Sequence, residues 1–318
     1  MLIYRTLIVK MKKIMSIVED IYKKRWWVIL KVSLNLTILL AIIYIILEKS
    51  GEFYPLFNLY LLFTIPYEFF ILFLISFRIF YIARTLNENI TLKNIYFITI
   101  TTKFYNILLP SIFVEAIRAA KYYFAGLQDK YNILFLVAFD RIMGFITFFI
   151  IFLFSIFSMK IYNTNYSVLM PFLIIYPVHI IASFNMGKIR HILHHTFFDR
   201  HLSKKTLFLA FLLSFSAQMA IILKYFYLFR LLGGLDLDFI KTLYIGSASH
   251  LSQIIPVSSG IFSIKDGLLL FILSSKQNEY ITALRIILFL GGIEIITGII
   301  GGIVESIGLT KKTVIHQN

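Results

Sequence analysis

The chain has no cysteine, two tryptophans, six prolines and only 16 acidic residues among 318. Without cysteine there is no disulfide framework, no thiol nucleophile and no Cys-type metal site. Charged residues make up 15% of the sequence, against about one-quarter in an average soluble domain. No stretch is long and polar enough to form a separate soluble domain. The HExxH, P-loop and GxGxxG patterns are absent as well, so no zinc-hydrolase, nucleotide-triphosphate or dinucleotide signature is present. What fills the chain is apolar: 59% hydrophobic, 17% aromatic, with a mean hydropathy of +0.84. Runs of about 20 apolar residues recur along it, the length that crosses a hydrocarbon core. The expected class is an all-α, polytopic membrane protein. Lys and Arg outnumber the acids 31 to 16. Cytoplasmic loop charge and anionic lipid headgroups account for that excess, so no nucleic-acid partner, cofactor or metal is expected.

Residues 1–26 carry Arg5, Lys10, Lys12, Lys13, Lys23, Lys24 and Arg25, while Leu7, Met11, Ile14, Val18 and Ile21 recur at spacings of three and four. That pattern predicts an amphipathic, cytoplasmic surface helix. The first apolar segment begins near Trp26, too late and too long for a signal peptide, and no small-residue cleavage site follows it. A single transmembrane domain is expected over 27–306, with one half at about 55–158 and the other at about 206–306, then a cytoplasmic tail at 307–318. Its apolar segments run at 27–47, 55–77, 95–110, 111–125, 131–158, 167–186, 206–231, 242–256, 260–274 and 281–306.

The distribution of bases indicates which segments span. If 95–125 and 242–274 each form a hairpin returning to the side it left, the cytoplasmic side collects most loop bases. They are those of 1–26, then Arg78, Arg84, Lys93, Lys188, Arg190, Arg200, Lys204, Lys205, Lys311 and Lys312. Lys49, Lys160, Arg230, Lys241 and Lys276 remain outside. Making the first hairpin a single crossing moves the basic 187–205 loop outside, against the positive-inside rule. The expectation is therefore about six full spans plus two re-entrant hairpins that enter from opposite faces, an inverted repeat with cytoplasmic termini.

Both hairpins are broken by proline. The first reads Asn106-Ile-Leu-Leu-Pro110-Ser111-Ile-Phe-Val-Glu115-Ala-Ile-Arg118, and the second Ile254-Ile-Pro256-Val-Ser258-Ser259-Gly260-Ile-Phe-Ser-Ile-Lys265-Asp266. Proline removes a backbone donor and clashes with the carbonyl four residues back, so a helix stops or kinks there. Non-helical backbone at membrane depth needs cover from protein or a watery cavity. If new half-helices start near Ser111 and Ser259, their free N–H groups favour an anion such as phosphate, and Ser258 or Ser259 can cap one.

Ionised side chains cost roughly 2.5–3.5 kcal/mol at mid-bilayer, so those in apolar runs are expected to pair. Glu115 and Arg118 share a helix face at a spacing of three. Asp140 and Arg141 point about 100° apart, so at least one should reach another segment. Both are expected to meet the first hairpin, with Lys265 and Asp266 approaching from the second. Arg118, Arg141 and Lys265 are the expected anion ligands, with Glu115, Asp140, Asp266 and Glu294 as charge partners or proton carriers. Lys31, Lys103, Lys130 and Lys224 are expected to snorkel from segment ends. The alternative is that the charges only hold bent helices together. His191 and His195 have an i, i+4 spacing, with His194 and His201 nearby, but no Glu accompanies them and the setting is basic, so a metal site is not expected. Gly291, Gly292, Gly298, Gly301 and Gly302 predict a close helix-packing face.

At these residues the chain resembles the lysylphosphatidylglycerol synthase transmembrane-region family of flippase-like proteins. Asn106, Pro110, Glu115, Arg118, Asp140 and Arg141 follow its first pattern position by position. In the second, Pro256, Ser258 and Gly260 match, Ser259 replaces a proline, and Lys265-Asp266 replaces Arg-Glu. Ser111, Val114, Ile261 and Ser263 stand where that family has glycines. The resemblance covers about 30–306. It implies a bacterial or archaeal cytoplasmic-membrane protein that moves or binds polar lipids, without the soluble aminoacyl-transferase domain of fused relatives.

The leading expectation is a flippase-like protein that binds and translocates a phospholipid or a polyprenyl-phosphate-linked lipid. The alternatives are a membrane enzyme acting on a lipid phosphate, with Asp140 or Glu115 as general base, and a non-catalytic partner of a glycosyltransferase or envelope complex.

Overall fold

The structure, a computed structural model, describes residues 60–86, 88–109, 111–127, 129–161, 202–233, 237–252, 264–273 and 277–315. Among them are eight helices and no strand: α1 Tyr60–Thr85, α2 Leu92–Leu108, α3 Ser111–Phe124, α4 Lys130–Ile161, α5 Lys204–Gly233, α6 Phe239–Leu251, α7 Ile264–Leu273 and α8 Gln277–Ile315. Four are long and apolar enough to cross a membrane, over Phe63–Thr85, Lys130–Met159, Lys204–Leu231 and Ile281–Ile307. These correspond to four of the expected spans. The other two, 27–47 and 167–186, lie outside the described residues, as do the surface segment 1–26 and the four histidines at 191–201.

Local chemistry sets the helix ends. Thr91 caps α2 by accepting from the Asn94 N–H, and Asp238 caps α6 by accepting from the Lys241 N–H at 2.7 Å. Asp129 does the same for α4 through the Tyr131 N–H at 2.8 Å. Leu109 is extended, with φ −127° and ψ 151°. A residue before proline is sterically pushed out of the helical region in this way, and α2 stops at Leu108. At the other end of α3, Gly126 takes φ +106°. The Leu127 N–H reaches the Tyr122 carbonyl at 3.2 Å, and the Gly126 N–H reaches the Tyr123 carbonyl at 3.1 Å. This paired closure satisfies orphan carbonyls and is open to glycine without steric cost.

The chain reverses at the break between α2 and α3. Thr101 and Lys121 are 20 residues apart, which an uninterrupted helix would stretch over about 30 Å. Instead Lys121 Nζ donates to Thr101 Oγ1 at 2.8 Å, so α3 folds back along α2. The short helices α6 and α7 also pack against each other. Among the long helices, α1 runs antiparallel to α5: Arg78 meets Ser214 near one end, while Tyr67 and Glu68 meet Ala220 and Lys224 near the other.

Two apolar cores form, one around each short pair. The first joins Ile79 and Ile82 of α1, Ile95 and Ile98 of α2, Tyr122 of α3, Ile133 to Met143 of α4, and Ala210 of α5. The second joins Phe148 to Met159 of α4, Ile222 to Phe229 of α5, Leu243 to Leu251 of α6, Leu269 and Leu273 of α7, and Ala283 to Ile293 of α8. Successive halves of α4 and α5 serve one core and then the other. Outward-facing Phe63, Phe154, Phe157 and Phe208 are more than half exposed. Charged Arg78, Asp140, Lys265 and Asp266 are buried. That polarity suits an apolar solvent rather than water.

The structure corrects two assignments. Arg78 is not a loop base: α1 continues to Thr85 and buries Arg78 to 2% exposure. The run Phe77-Arg78-Ile79-Phe80 shows why, since apolar neighbours carry the helix past the charge. The glycine face on α8 is narrower than expected. A Cβ on Gly298, Gly301 or Gly302 would strike Ile107, the Ile100 carbonyl or Phe104 of α2, whereas one on Gly292 meets nothing within 4 Å. Direct backbone approach against α2 therefore involves the last three.

Candidate functional site

On α4, Asp140, Arg141 and Thr147 fall near where its two apolar halves meet, while Asn132, Ser155 and Ser158 lie elsewhere along it. Asp140 leads this layer. Its Oδ1 accepts from Arg78 Nη2, its Oδ2 accepts from Arg118 Nη1 at 3.2 Å, and its backbone carbonyl accepts from Arg78 Nη2 at 3.2 Å. Arg78 Nη1 then donates to Ser214 Oγ at 2.6 Å. Ser214 receives a second donor from Thr147 at 2.9 Å and itself donates to the Met143 carbonyl at 3.1 Å. One carboxylate thus ties α1, α3 and α4 together, and the hydroxyl of Ser214 brings in α5.

Arg141, pointing off to the side of α4, takes the other acid of the first helix pair. Its Nε donates to Glu115 Oε1 at 2.8 Å, and its Nη2 reaches the same oxygen. Arg118 Nη1 lies 3.3 Å from Glu115 Oε2, so Glu115 and Asp140 bracket Arg118. The Arg141 side chain is 50% exposed while that of Arg118 is 10% exposed. Three guanidinium groups face two carboxylates here, leaving one excess positive charge with Arg141 at its accessible edge.

Several atoms in the group have no hydrogen-bond partner among the described residues: the donors Arg78 Nε, Arg118 Nε and the Tyr122 hydroxyl, and one acceptor, Glu115 Oε2. Tyr122 is 1% exposed, and its charged surroundings are Arg118, Asp140, Glu115 and Arg78. Buried donors without acceptors are costly, about 1–3 kcal/mol each, so a cluster of them is where a ligand oxygen or ordered water fits.

The sequence-expected residues divide in this way. Glu115, Arg118, Asp140 and Arg141 come together in one network. α3 begins at Ser111, as expected, and Asn106 lies half-buried in the last turn of α2. Lys265 and Asp266 form a separate group on α7: Lys265 Nζ donates to Glu294 Oε1 of α8 at 2.9 Å and lies 3.8 Å from Asp266 Oδ1. None of the described contacts joins that group to Asp140 or Arg141. α7 is described over Ile264–Leu273 with Asp266 in its first turn, and the expected start near Ser259 lies outside the described residues. Pro110, Pro256, Ser258, Ser259 and Gly260 lie outside the described residues.

Sequence reasoning missed Arg78 and mistook two lysines. Lys103 and Lys224 do not snorkel. Both donate to buried Glu68, at 3.1 and 2.8 Å, from α2 and α5. The available signal was Glu68 itself, a lone acid in an apolar run that required a base from elsewhere. Lys130 stacks its ammonium over Tyr131, with 4.9 Å to the ring centre. Lys121 pairs with Glu305 of α8 as well as Thr101. Among the described residues no group of three or more His, Asp or Glu is placed to hold a metal.

Comparison with protein-family models, curated proteins and solved structures gives no match for this chain.

Proposed function

We propose that the chain is a multi-pass protein of a bacterial or archaeal cytoplasmic membrane that binds a phosphate-bearing lipid headgroup at Arg118 and Arg141 and carries it across the bilayer. The observation carrying this reading is the polar layer between the two apolar cores: three guanidiniums against two carboxylates, with buried Nε donors unfilled. A guanidinium offers a planar fork of donors matched to phosphate oxygens and stays charged at any depth. The α3 N-terminus at Ser111 opens nearby in the same helix pair, and its free N–H groups favour an anion.

In this reading α2–α3 and α6–α7 are re-entrant hairpins entering from opposite faces, and both chain termini are cytoplasmic. Short pairs entering from opposite faces suit alternating access around a central layer. The resemblance to the lysylphosphatidylglycerol synthase transmembrane region supports the same substrate class. A glycosyltransferase or envelope-synthesis protein is the partner class this reading admits.

The test has two arms. Mass spectrometry of the purified protein should find a phosphate-bearing lipid retained in stoichiometric amounts. In liposomes, an Arg118→Ala, Arg141→Ala double variant should lose headgroup binding. A folded double variant that moves lipid at the wild-type rate would falsify the assignment.

A further inference from the structure

The layer described above leaves other buried ionic groups unused, among them Glu68 of α1 with Lys103 of α2 and Lys224 of α5. Glu68 is 5% exposed, and its two oxygens are divided between the two ammonium groups, Oε1 to Lys103 and Oε2 to Lys224. A single lysine neutralises a buried glutamate. Two leave the triad itself with one excess positive charge, offset in part by the neighbouring Lys265–Asp266–Glu294 group, where two acids face one base. The Lys224 side chain is 11% exposed and the Lys103 side chain 25% exposed, so Lys103 is the surplus base and the more reachable one.

The position of the triad is defined by the register of α1 against α5. Glu68 lies ten residues from Arg78 on α1, and Lys224 lies ten residues from Ser214 on α5. At the helical rise this places the triad about 15 Å from the Arg78–Asp140–Ser214 layer along the bundle axis. It borders both short helix pairs. Lys103 belongs to α2 of the first. Tyr225, adjacent to Lys224, has Glu68 among its charged surroundings together with Lys265, Asp266 and Glu294 of the α7–α8 group.

We propose that Lys103 and Lys224 form a second station for the same anionic phosphate group, with the Glu68 carboxylate holding both ammoniums until the anion arrives. This rests on the reading of Arg118 and Arg141 as the first station. The residue types differ in a way that suits the two roles. Arginine forks grip a phosphate bidentately, whereas a lysine is a rotatable point charge that trades partners readily. Passage requires sites that bind strongly enough to accept the ion and weakly enough to release it. A carboxylate shared between two lysines supplies that release, because it competes for them once the phosphate moves on.

The test uses the full-length protein in phosphatidylcholine liposomes, with a fluorescent short-chain anionic phosphatidylglycerol as probe and inorganic phosphate as competitor. Lys103→Gln leaves the neutral Glu68–Lys224 pair, so its melting temperature should match wild type. Probe affinity should remain within about twofold, while movement across the bilayer slows by about tenfold or more, the loss expected from one charge-assisted contact. Glu68→Gln should hold the probe longer and also slow movement. Slowing by inorganic phosphate in wild type but not in Lys103→Gln assigns the station to free phosphate. Slowing by the lipid alone assigns it to the headgroup, and both results support the station. Should Lys103→Gln fold poorly, Lys103→Met keeps the apolar stem and is read in the same way. Wild-type movement by either folded variant overturns the second station. If Arg118→Ala still abolishes binding, only the second station falls. If neither Arg118→Ala nor Lys103→Gln changes binding or movement, both readings fall.

Discussion

Arg78 and Asp140 stand 62 residues apart in the chain and meet through both side chain and backbone, with neither side chain more than 9% exposed. The contact fastens α1 to α4 where the two apolar cores join. Removing one member of a buried pair strands the other and costs about 3–5 kcal/mol. Arg78→Leu should therefore lower the melting temperature in detergent sharply. Arg78→Lys, which retains the charge and loses the fork, should fall between the two. A melting temperature for Arg78→Leu within a degree or so of wild type would show that the contact does not hold the bundle.

The glycines of α8 predict opposite outcomes for the same substitution. A Cβ on Gly301 would stand 2.5 Å from the Ile100 carbonyl oxygen, and backbone cannot rotate aside. Gly301→Ala should separate α2 from α8 at a cost of about 1–3 kcal/mol, typical of overpacking. Gly292→Ala has open space and should stabilise the helix by up to about 1 kcal/mol. Thermal unfolding of the two variants side by side checks this. Equal shifts would argue against close α2–α8 packing.

How much of this was legible follows from the range of each signal. The break at Pro110 is local: proline and its predecessor decide it, and α2 and α3 end and begin where the sequence indicates. Apolar run lengths likewise located three of the four long spans to within about two residues at each end, whereas the first was placed eight residues too early at both ends. Asp140 and Arg141 could be seen to need partners on other segments, because adjacent helical positions diverge. Their choice of partners was not legible. That Asp140 takes Arg78 and Arg118 while Arg141 takes Glu115 depends on how α1, α3 and α4 pack. Arg78 was misplaced because a charge near the end of an apolar run looks the same whether the helix stops there or continues by two turns. Lys103 and Lys224 were read as snorkelling because a lysine near a segment end satisfies that pattern until Glu68 is brought beside it.

The chain has no cysteine, so introduced cysteines report topology without background. Under the proposed arrangement, cysteines at 160–165 should react with an impermeant reagent in intact cells. Those at 190–200 should react only after permeabilisation, since the bases of that loop favour the cytoplasm. External labelling at 190–200 would remove the inverted-hairpin arrangement.

Asp140→Asn separates a structural role from a coupling role. The carboxylate faces Arg78 and Arg118, with Arg141 committed to Glu115. Asparagine keeps an acceptor oxygen but removes the charge, leaving two buried guanidiniums with Glu115 as the only remaining acid in the group. If Asp140 serves to balance them, the variant should be strongly destabilised. A second change, Arg78→Gln, should then restore yield and melting temperature by removing the surplus charge, whereas Arg141→Gln should not. If Asp140 instead carries a proton during transport, Asp140→Asn should fold, bind lipid and lose the pH dependence of movement. The deciding measurement is melting temperature for the three variants beside lipid movement at two pH values. A stable Asp140→Asn protein with normal movement at both would exclude the two roles together, and rescue by Arg141→Gln alone would contradict the pairing of Asp140 with Arg78.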